Sequence, residues 1–274
     1  MYRMIVSDLD ETLLNSQHKV GDHNLYWINK ARKEKGVYFV PATGRIYAMI
    51  SDILQDLGLY NVEKEYVISG NGAMITENKD NQMLHFDGMP FEDMEGIMKF
   101  ATTQDVCVEL FTEDTVYVYN VNDYERGILS HITGNFVFLE DADVSFLKDT
   151  PIVKILYMNR DTAYLKSLEP LMKHLTENVQ VSYSSNRYME FNRKGVDKGK
   201  AVLWLANMLN IPIEEVIVCG DNYNDVAMLE VAGLSVAANN AVEDVKKMCD
   251  VVTEADLDAG VLAEVIQKYI FVEE

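Results

Sequence analysis

Positive charge is scarce in this sequence: 24 Lys and Arg stand against 44 Asp and Glu, a formal net charge of -20. Such a field repels DNA, RNA and anionic lipid, which disfavours nucleic-acid and membrane-surface partners. It also repels phosphorylated small molecules, so a phosphate site would have to carry its own cation and lysine. Cysteine is equally sparse. Cys107, Cys219 and Cys249 are scattered, odd in number and without paired metal-ligand spacing, which reads as reduced, buried, inert thiols. No run of about 18 apolar residues occurs, which argues against a transmembrane helix. Asp8 and Asp10 arrive before any signal-length apolar run can form, so a cytoplasmic location is expected. Internal repeats and low-complexity linkers are also missing.

What remains is an ordinary folding composition, 48% hydrophobic and 25% charged, over 274 residues, enough for one large or two modest domains. Met4 to Val6 is an apolar, β-prone run, and Asp22 to Glu34 carries helical spacing that Gly36 stops. Val37 to Val40 is a second strand, Ile46 to Leu57 a helical stretch, and Val67-Ile68 a third strand. From about Asn81 the texture changes. Helical patterns over Phe91 to Thr102 and Thr162 to Leu175, the second broken near Pro170, alternate with strands at Val106 to Phe111, Thr115 to Tyr119, Ile152 to Met158, Val179 to Tyr183 and Tyr188 to Phe191. After Gly195, helices at Lys198 to Leu209, Asn224 to Ala232, Val242 to Met248 and Val261 to Tyr269 alternate with strands Val216 to Cys219, Leu234 to Ala237 and Val251-Val252. Alternation of this kind predicts a parallel sheet with right-handed crossovers. The expected fold is therefore α/β, with a Rossmann-like core over residues 1–80 and 190–274 and an inserted α+β domain over 81–189.

Four motifs carry chemistry. Asp8-Leu9-Asp10-Glu11-Thr12 follows the first strand, and carboxylates at i and i+2 of an extended segment share a face. Close like charges demand a cation, and magnesium prefers carboxylate oxygens. An acidic turn is the plainer alternative. Ala42-Thr43-Gly44-Arg45 joins a hydroxyl, a permissive glycine and helix-start amides, suited to a phosphate oxygen, although a threonine N-cap explains it equally. In Gly195-Val196-Asp197-Lys198-Gly199-Lys200, a lysine at a helix start opposes the macrodipole and points to an anionic partner for Lys198, with Lys200 a solvated charge. Gly220-Asp221-Asn222-Tyr223-Asn224-Asp225 ends a buried strand with acidic and amide groups that must bind a cation or cap a helix. A plain N-cap accounts for Asn224 or Asp225 but less well for Asp221.

Each motif sits at the carboxyl end of an expected parallel strand or at a helix start, the edge where open α/β sheets bind ligands. Their order resembles the haloacid dehalogenase superfamily of phosphohydrolases over nearly the whole chain. The insert between Thr43 and Lys198 is similar to the cap (type C2B) of the type IIB, Cof-like sugar-phosphatase branch. Asp8-Leu9-Asp10-Glu11-Thr12-Leu13-Leu14, Ser69-Gly70-Asn71-Gly72-Ala73 and Gly220 to Asp225 carry that likeness. Glu11 stands where glycine is more usual, and is expected to stiffen a neighbouring flap.

The resemblance implies a phosphatase. Asp8 would become a transient aspartyl phosphate, and Asp10 would protonate the leaving alcohol and then activate water. Mg2+ would be held by the Asp8 carboxylate, the Asp10 main-chain carbonyl and Asp221. Leu9, Thr43, Gly44, Lys198 and Asn224 would hold the phosphoryl oxygens, with Asp225 orienting Lys198 or a metal water. The substrate would be a small phosphorylated metabolite, such as a sugar phosphate, selected by the insert. Arg45 is expected to reach from core to insert. Tyr117, Tyr119, Asn122, Asp123 and Arg126 would face the leaving group, unless the tyrosines are ordinary strand packing. A phosphomutase or phosphotransferase using the same Asp8, or a non-catalytic binding module, are the alternatives, and the oligomeric state stays open, with a monomer possible.

Overall fold

The structure, a computed structural model, describes residues 1–272. The apolar run at the start is β1 (Met4–Ser7), buried at every residue. Helix α1 (Asp22–Lys30) runs on through a wider turn over Ala31–Lys35 until Gly36, whose left-handed φ of 65° ends it. Next come β2 (Tyr38–Pro41), α2 (Ser51–Asp56) and β3 (Tyr66–Ser69), then β4 (Met74–Glu77) and β5 (Gln82–Phe86). The following stretch holds α3 (Phe91–Ala101), β6 (Cys107–Thr112), β7 (Thr115–Tyr119), α4 (Asp123–Leu129) and β8 (Asn135–Leu139). It continues with β9 (Ile152–Met158), α5 (Thr162–Leu168), β10 (Val179–Ser184) and β11 (Tyr188–Arg193). Alternation then resumes with α6 (Lys198–Met208), β12 (Val216–Gly220), α7 (Val226–Val231), β13 (Leu234–Ala237), α8 (Glu243–Met248), β14 (Val251–Val252) and α9 (Val261–Tyr269).

Helix α5 is shorter than its apolar pattern suggests. It stops at Leu168, and Pro170 lies in a tight turn over Glu169–Leu171, because a proline ring clashes with the preceding turn and brings no amide donor.

Two compact units emerge, one of residues 1–45, 51–86 and 197–274, the other of 46–50 and 87–196. Both boundaries fall later than the expected 81 and 189. Strand β5 pairs with β4 in the first unit, and β11 pairs with β9 and β10 in the second, so each keeps its hydrogen-bonding neighbours.

In the first unit the sheet order is β14-β13-β12-β1-β2, every neighbouring pair parallel. A parallel bridge between Ala42 and Ile68 sets β3 beside the end of β2, and β3, β4 and β5 form an antiparallel meander. Val6, Val40 and Val218 pack with Val202 and Leu205 of α6 and Met228 and Leu229 of α7. This is the parallel-sheet α/β core expected from the alternation.

In the second unit the order is β10-β11-β9-β6-β7-β8, antiparallel except for β7 and β8, which are parallel across α4. Val108, Leu110, Ile155, Tyr157 and Phe191 pack in one cluster with Met94 and Ile97 of α3 and Leu165 and Leu168 of α5. No helix among the described residues is long and apolar enough to cross a membrane.

Candidate active site

The sheet order places β1 between β2 and β12, so residues leaving all three carboxyl ends are neighbours. The Asp8 amide donates to the Cys219 carbonyl of β12 at 3.0 Å, and the Ala42 amide to the Ser7 carbonyl at 2.8 Å. These bonds extend the ladder past the strands and fix where Asp8 and Thr43 begin. Asp8, Leu9, Thr43 and Asp221 are all buried. Two residues on, Asp10 is still extended, whereas Glu11 turns left-handed at φ 61°. That conformation suits glycine and costs a residue with a Cβ about 1–2 kcal/mol. The Asn240 side-chain amide holds the turn by donating to the Glu11 carbonyl at 2.7 Å.

Lys198 opens α6, with Asp197 as the N-cap accepting from the Lys200 amide at 2.8 Å. Its ammonium is fully buried, 2.5 Å from Asp8 Oδ1 and 2.7 Å from Asp225 Oδ1. The anionic partners that its unfavourable helix position calls for are thus carboxylates of the protein itself. Asp225 Oδ2 accepts from the Asp221 and Asn222 amides at 3.0 and 3.2 Å, so both Asp225 oxygens are engaged. Gly72 permits the approach of the neighbouring loop: its φ is 99°, and a Cβ there would lie 2.3 Å from the Asp197 carbonyl oxygen.

Asp221 Oδ1 accepts from the Thr12 hydroxyl at 2.9 Å. Carboxylate oxygens of Asp8, Asp221 and Asp225 all lie within 4.8 Å of one another. Burial raises Asp8 well above the usual carboxylate range, against the pull of Lys198. Burial, then the charge of Asp225, pushes Asp221 up to about 7, with the Thr12 hydrogen bond opposing. Burial works against the Lys198 charge, but Asp225 and then Asp8 outweigh it and raise that group. With all three buried carboxyl groups ionised, one ammonium would leave an excess of negative charge. The donor set, hard oxygens short of positive charge, fits a divalent cation.

Asp10 is held differently. Arg45 grips both of its oxygens, Nη2 on Oδ1 at 2.5 Å and Nε on Oδ2 at 3.1 Å. Arg45, expected to reach the insert, is therefore engaged within its own unit. The Thr43 hydroxyl accepts from the Arg45 amide at 3.1 Å, leaving its own hydrogen to donate, and Gly44 is half-buried beside it. Asn224 is exposed. The capping side chain of its turn is neither Asn224 nor Asp225 but Asn222, which accepts from the Tyr223 amide at 2.9 Å while Asp225 answers at the Asn222 amide.

The insert residues named as leaving-group contacts have neighbours within their own unit. Tyr117 and Tyr119 stand opposite Leu110 and Val108 and pack against the apolar cluster of their unit. Asn122 caps α4 by accepting from the Glu125 amide at 2.9 Å, Asp123 begins that helix, and Arg126 lies over the Phe138 ring. Thr12 and Asn240, which support the turn around Asp8, were not anticipated.

Residues 5–266 match the haloacid dehalogenase-like hydrolase family. Phosphatase YwpJ of Bacillus subtilis (strain 168) is 29% identical, with 94% of this chain and 97% of that protein covered. The 5-amino-6-(5-phospho-D-ribitylamino)uracil phosphatase YcsE of the same organism is 28% identical, with 98% and 96% covered. A crystal structure of a haloacid dehalogenase-like hydrolase from Bacteroides thetaiotaomicron superposes with a TM-score of 0.86 at 28% identity, covering 98% of this chain and 99% of that one. The resemblance carried by the four motifs is borne out, and the chain belongs to the haloacid dehalogenase-like hydrolase family, as a phosphatase of that family.

Proposed function

We propose that the chain is a magnesium-dependent phosphatase of a small phosphorylated metabolite, a sugar phosphate or similar, working in the cytoplasm through an aspartyl phosphate on Asp8. The observation that carries this reading is the buried Lys198 ammonium, 2.5 Å from Asp8 Oδ1 and 2.7 Å from Asp225 Oδ1. It holds the Asp8 carboxylate in place and supplies the positive charge that a phosphoryl group needs in an acidic protein.

Asp8 attacks phosphorus, and the bond to the leaving oxygen breaks as Asp10 delivers a proton to that oxygen. Asp10 then takes a proton from water, which attacks the same phosphorus, frees phosphate and restores Asp8. One Asp10 oxygen must exchange Arg45 for the leaving oxygen in each turnover. Thr43, the Leu9 and Gly44 amides, Lys198 and Asn224 steady the phosphoryl oxygens. Asp225, both of whose oxygens are taken, positions Lys198. Asp8, the Asp10 carbonyl and Asp221 would hold magnesium, which neutralises charge on the transferring group when bound. Selection of the rest of the substrate falls to the 87–196 unit. The ribityl phosphate in the name of the Bacillus subtilis relative supports a polyhydroxylated substrate.

Hydrolysis of p-nitrophenyl phosphate, with magnesium titrated against a chelator, tests the reading. Phosphate release without any acceptor alcohol, lost on chelation and in Asp8→Asn, is expected. Absence of release at saturating magnesium, or release only when a second alcohol is supplied, overturns it in favour of a binding module or a phosphotransferase.

A further inference from the structure

The turn that carries Asp10 is braced by a side chain from the loop after β13. Glu11, next to Asp10, is left-handed at φ 61°, and the Leu14 amide closes the turn by donating to the Leu9 carbonyl at 2.8 Å. A residue with a Cβ resists that conformation, so the turn needs a hold from outside. Asn240 supplies it. Its Nδ2 donates to the Glu11 carbonyl at 2.7 Å while its Oδ1 accepts from the Leu257 amide at 3.0 Å, so both ends of the side chain are engaged and its orientation is fixed.

The chain on either side of the turn is anchored by other groups. Before it, the Asp8 amide donates to the Cys219 carbonyl at 3.0 Å. After it, Asn24 Nδ2 donates to the Leu13 carbonyl at 3.3 Å and Asn24 Oδ1 accepts from the Ala263 amide at 3.0 Å. Asp258 Oδ1 then accepts from the amide and the hydroxyl of Ser16, both at 2.9 Å. Asn24 is buried, whereas Asn240 is exposed. A hydrogen bond open to water adds little to the stability of the fold. What the Asn240 bond fixes is one peptide, the one directly after Asp10.

We propose that Asn240 is a positioning residue for Asp10: by holding the Glu11 carbonyl it keeps the turn left-handed, and so aims the Asp10 carboxyl group at the leaving oxygen. The inference rests on the phosphatase reading, which supplies the step, and adds the residue that aims it. Arg45 grips both Asp10 oxygens. When one of them leaves Arg45 to give its proton to the leaving oxygen, as the bond from that oxygen to phosphorus breaks, the fixed peptide keeps the carboxyl group on course. A displacement of about 1 Å can cost on the order of a hundredfold in rate, so a bond of small weight in stability carries weight in turnover.

Steady-state kinetics on D-sorbitol 6-phosphate, an alkyl phosphate that needs the proton, and on p-nitrophenyl phosphate, whose anion leaves without one, test it. In Asn240→Ala, kcat should fall about fivefold or more on the alkyl phosphate and less than about twofold on p-nitrophenyl phosphate, with KM little changed. Asn240→Asp retains the acceptor for Leu257 but sets a carboxylate oxygen against the Glu11 carbonyl, and should lose at least as much. Glu11→Gly added to Asn240→Ala should recover most of the lost kcat, since glycine takes the left-handed turn unaided. Glu11→Gln, which removes the same charge but keeps the Cβ, should recover none. Full activity in either Asn240 variant, equal losses on the two substrates, or rescue by glycine no better than by glutamine overturns the proposal. Where the wild type does not hydrolyse the alkyl phosphate, amide hydrogen exchange at Leu14 decides: faster exchange in Asn240→Ala, restored by Glu11→Gly, supports the brace, and unchanged exchange overturns it. Absence of any phosphate release fails the phosphatase reading separately.

Discussion

Lys198 Nζ and Asp225 Oδ1 lie 2.7 Å apart, with both side chains fully buried. Asp8 completes the group, so removing the lysine leaves carboxylates buried with no cation of the protein beside them. Lys198→Met should destabilise the fold by about 3–5 kcal/mol, read by urea denaturation. Asp225→Asn added to it should recover part of that loss. A double variant no more stable than Lys198→Met would mean that the pair is not coupled.

Asp8→Asn keeps the shape of the side chain and removes the proposed nucleophile. Turnover should drop about a thousandfold or more, while the melting temperature stays near that of the wild type. Stopped-time phosphate assays and a thermal melt on the same preparation check both halves.

The proton transfer proposed for Asp10 should matter most when the leaving group is a poor one. Asp10→Asn should lower kcat about a hundredfold or more on an alkyl phosphate, and clearly less on p-nitrophenyl phosphate, whose anion leaves without a proton. Equal losses on the two substrates would remove Asp10 from proton transfer.

Gly72→Ala confronts the Asp197 carbonyl, 2.3 Å from where the new methyl would sit, and a φ of 99° that a side chain resists. A loss of about 2 kcal/mol or more is expected by chemical denaturation. Because that carbonyl adjoins Lys198, kcat should fall as well.

Glu109 of β6, 3% exposed, gives a signed pH effect, because burial and then the charge of Glu125 raise it well above the usual carboxylate range. Its folded pKa lies above the unfolded one, so its contribution to stability is complete below the ordinary carboxylate range and is lost as pH rises through the raised value. The difference in melting temperature between wild type and Glu109→Gln should therefore shift in favour of the variant between about pH 5 and about pH 8. A difference independent of pH would contradict the burial argument.

Much of the core was legible because its strands are short apolar runs closed by turn residues. Leu234 to Ala237 and Val251-Val252 were read at their observed bounds, and β1 and β12 to within a residue or so. The hairpin of β4 and β5 was missed, since Gln82–Phe86 is only half-buried and shows little contrast between its faces. Strand β8 lies at an edge with Val137 and Phe138 exposed, and α4 is short and carries Gly127, so neither has a strong period. The four motifs placed Asp8, Lys198 and Asp221 in advance because each follows a strand or opens a helix. The bond from Arg45 to Asp10 was not legible, because nothing local to Thr43-Gly44-Arg45 reveals that Asp10 is within its reach. Signal for the polar groups buried on one face of the second unit's sheet did exist: Val108-Glu109-Leu110, Val153-Lys154-Ile155 and Met189-Glu190-Phe191-Asn192 put polar groups at alternate positions of otherwise apolar strands.

The central place of β1 between β2 and β12 governs when the site can exist. Met4–Ser7 is made before the insert, yet its partner Val216–Gly220 is made only after it. During that interval one edge of an apolar strand waits unpaired, a long-range closure of the kind that slows folding and invites misassociation. Asp8 therefore has no neighbouring Lys198 until the segment after the insert arrives, and a chain cut before that segment has no complete acidic pocket.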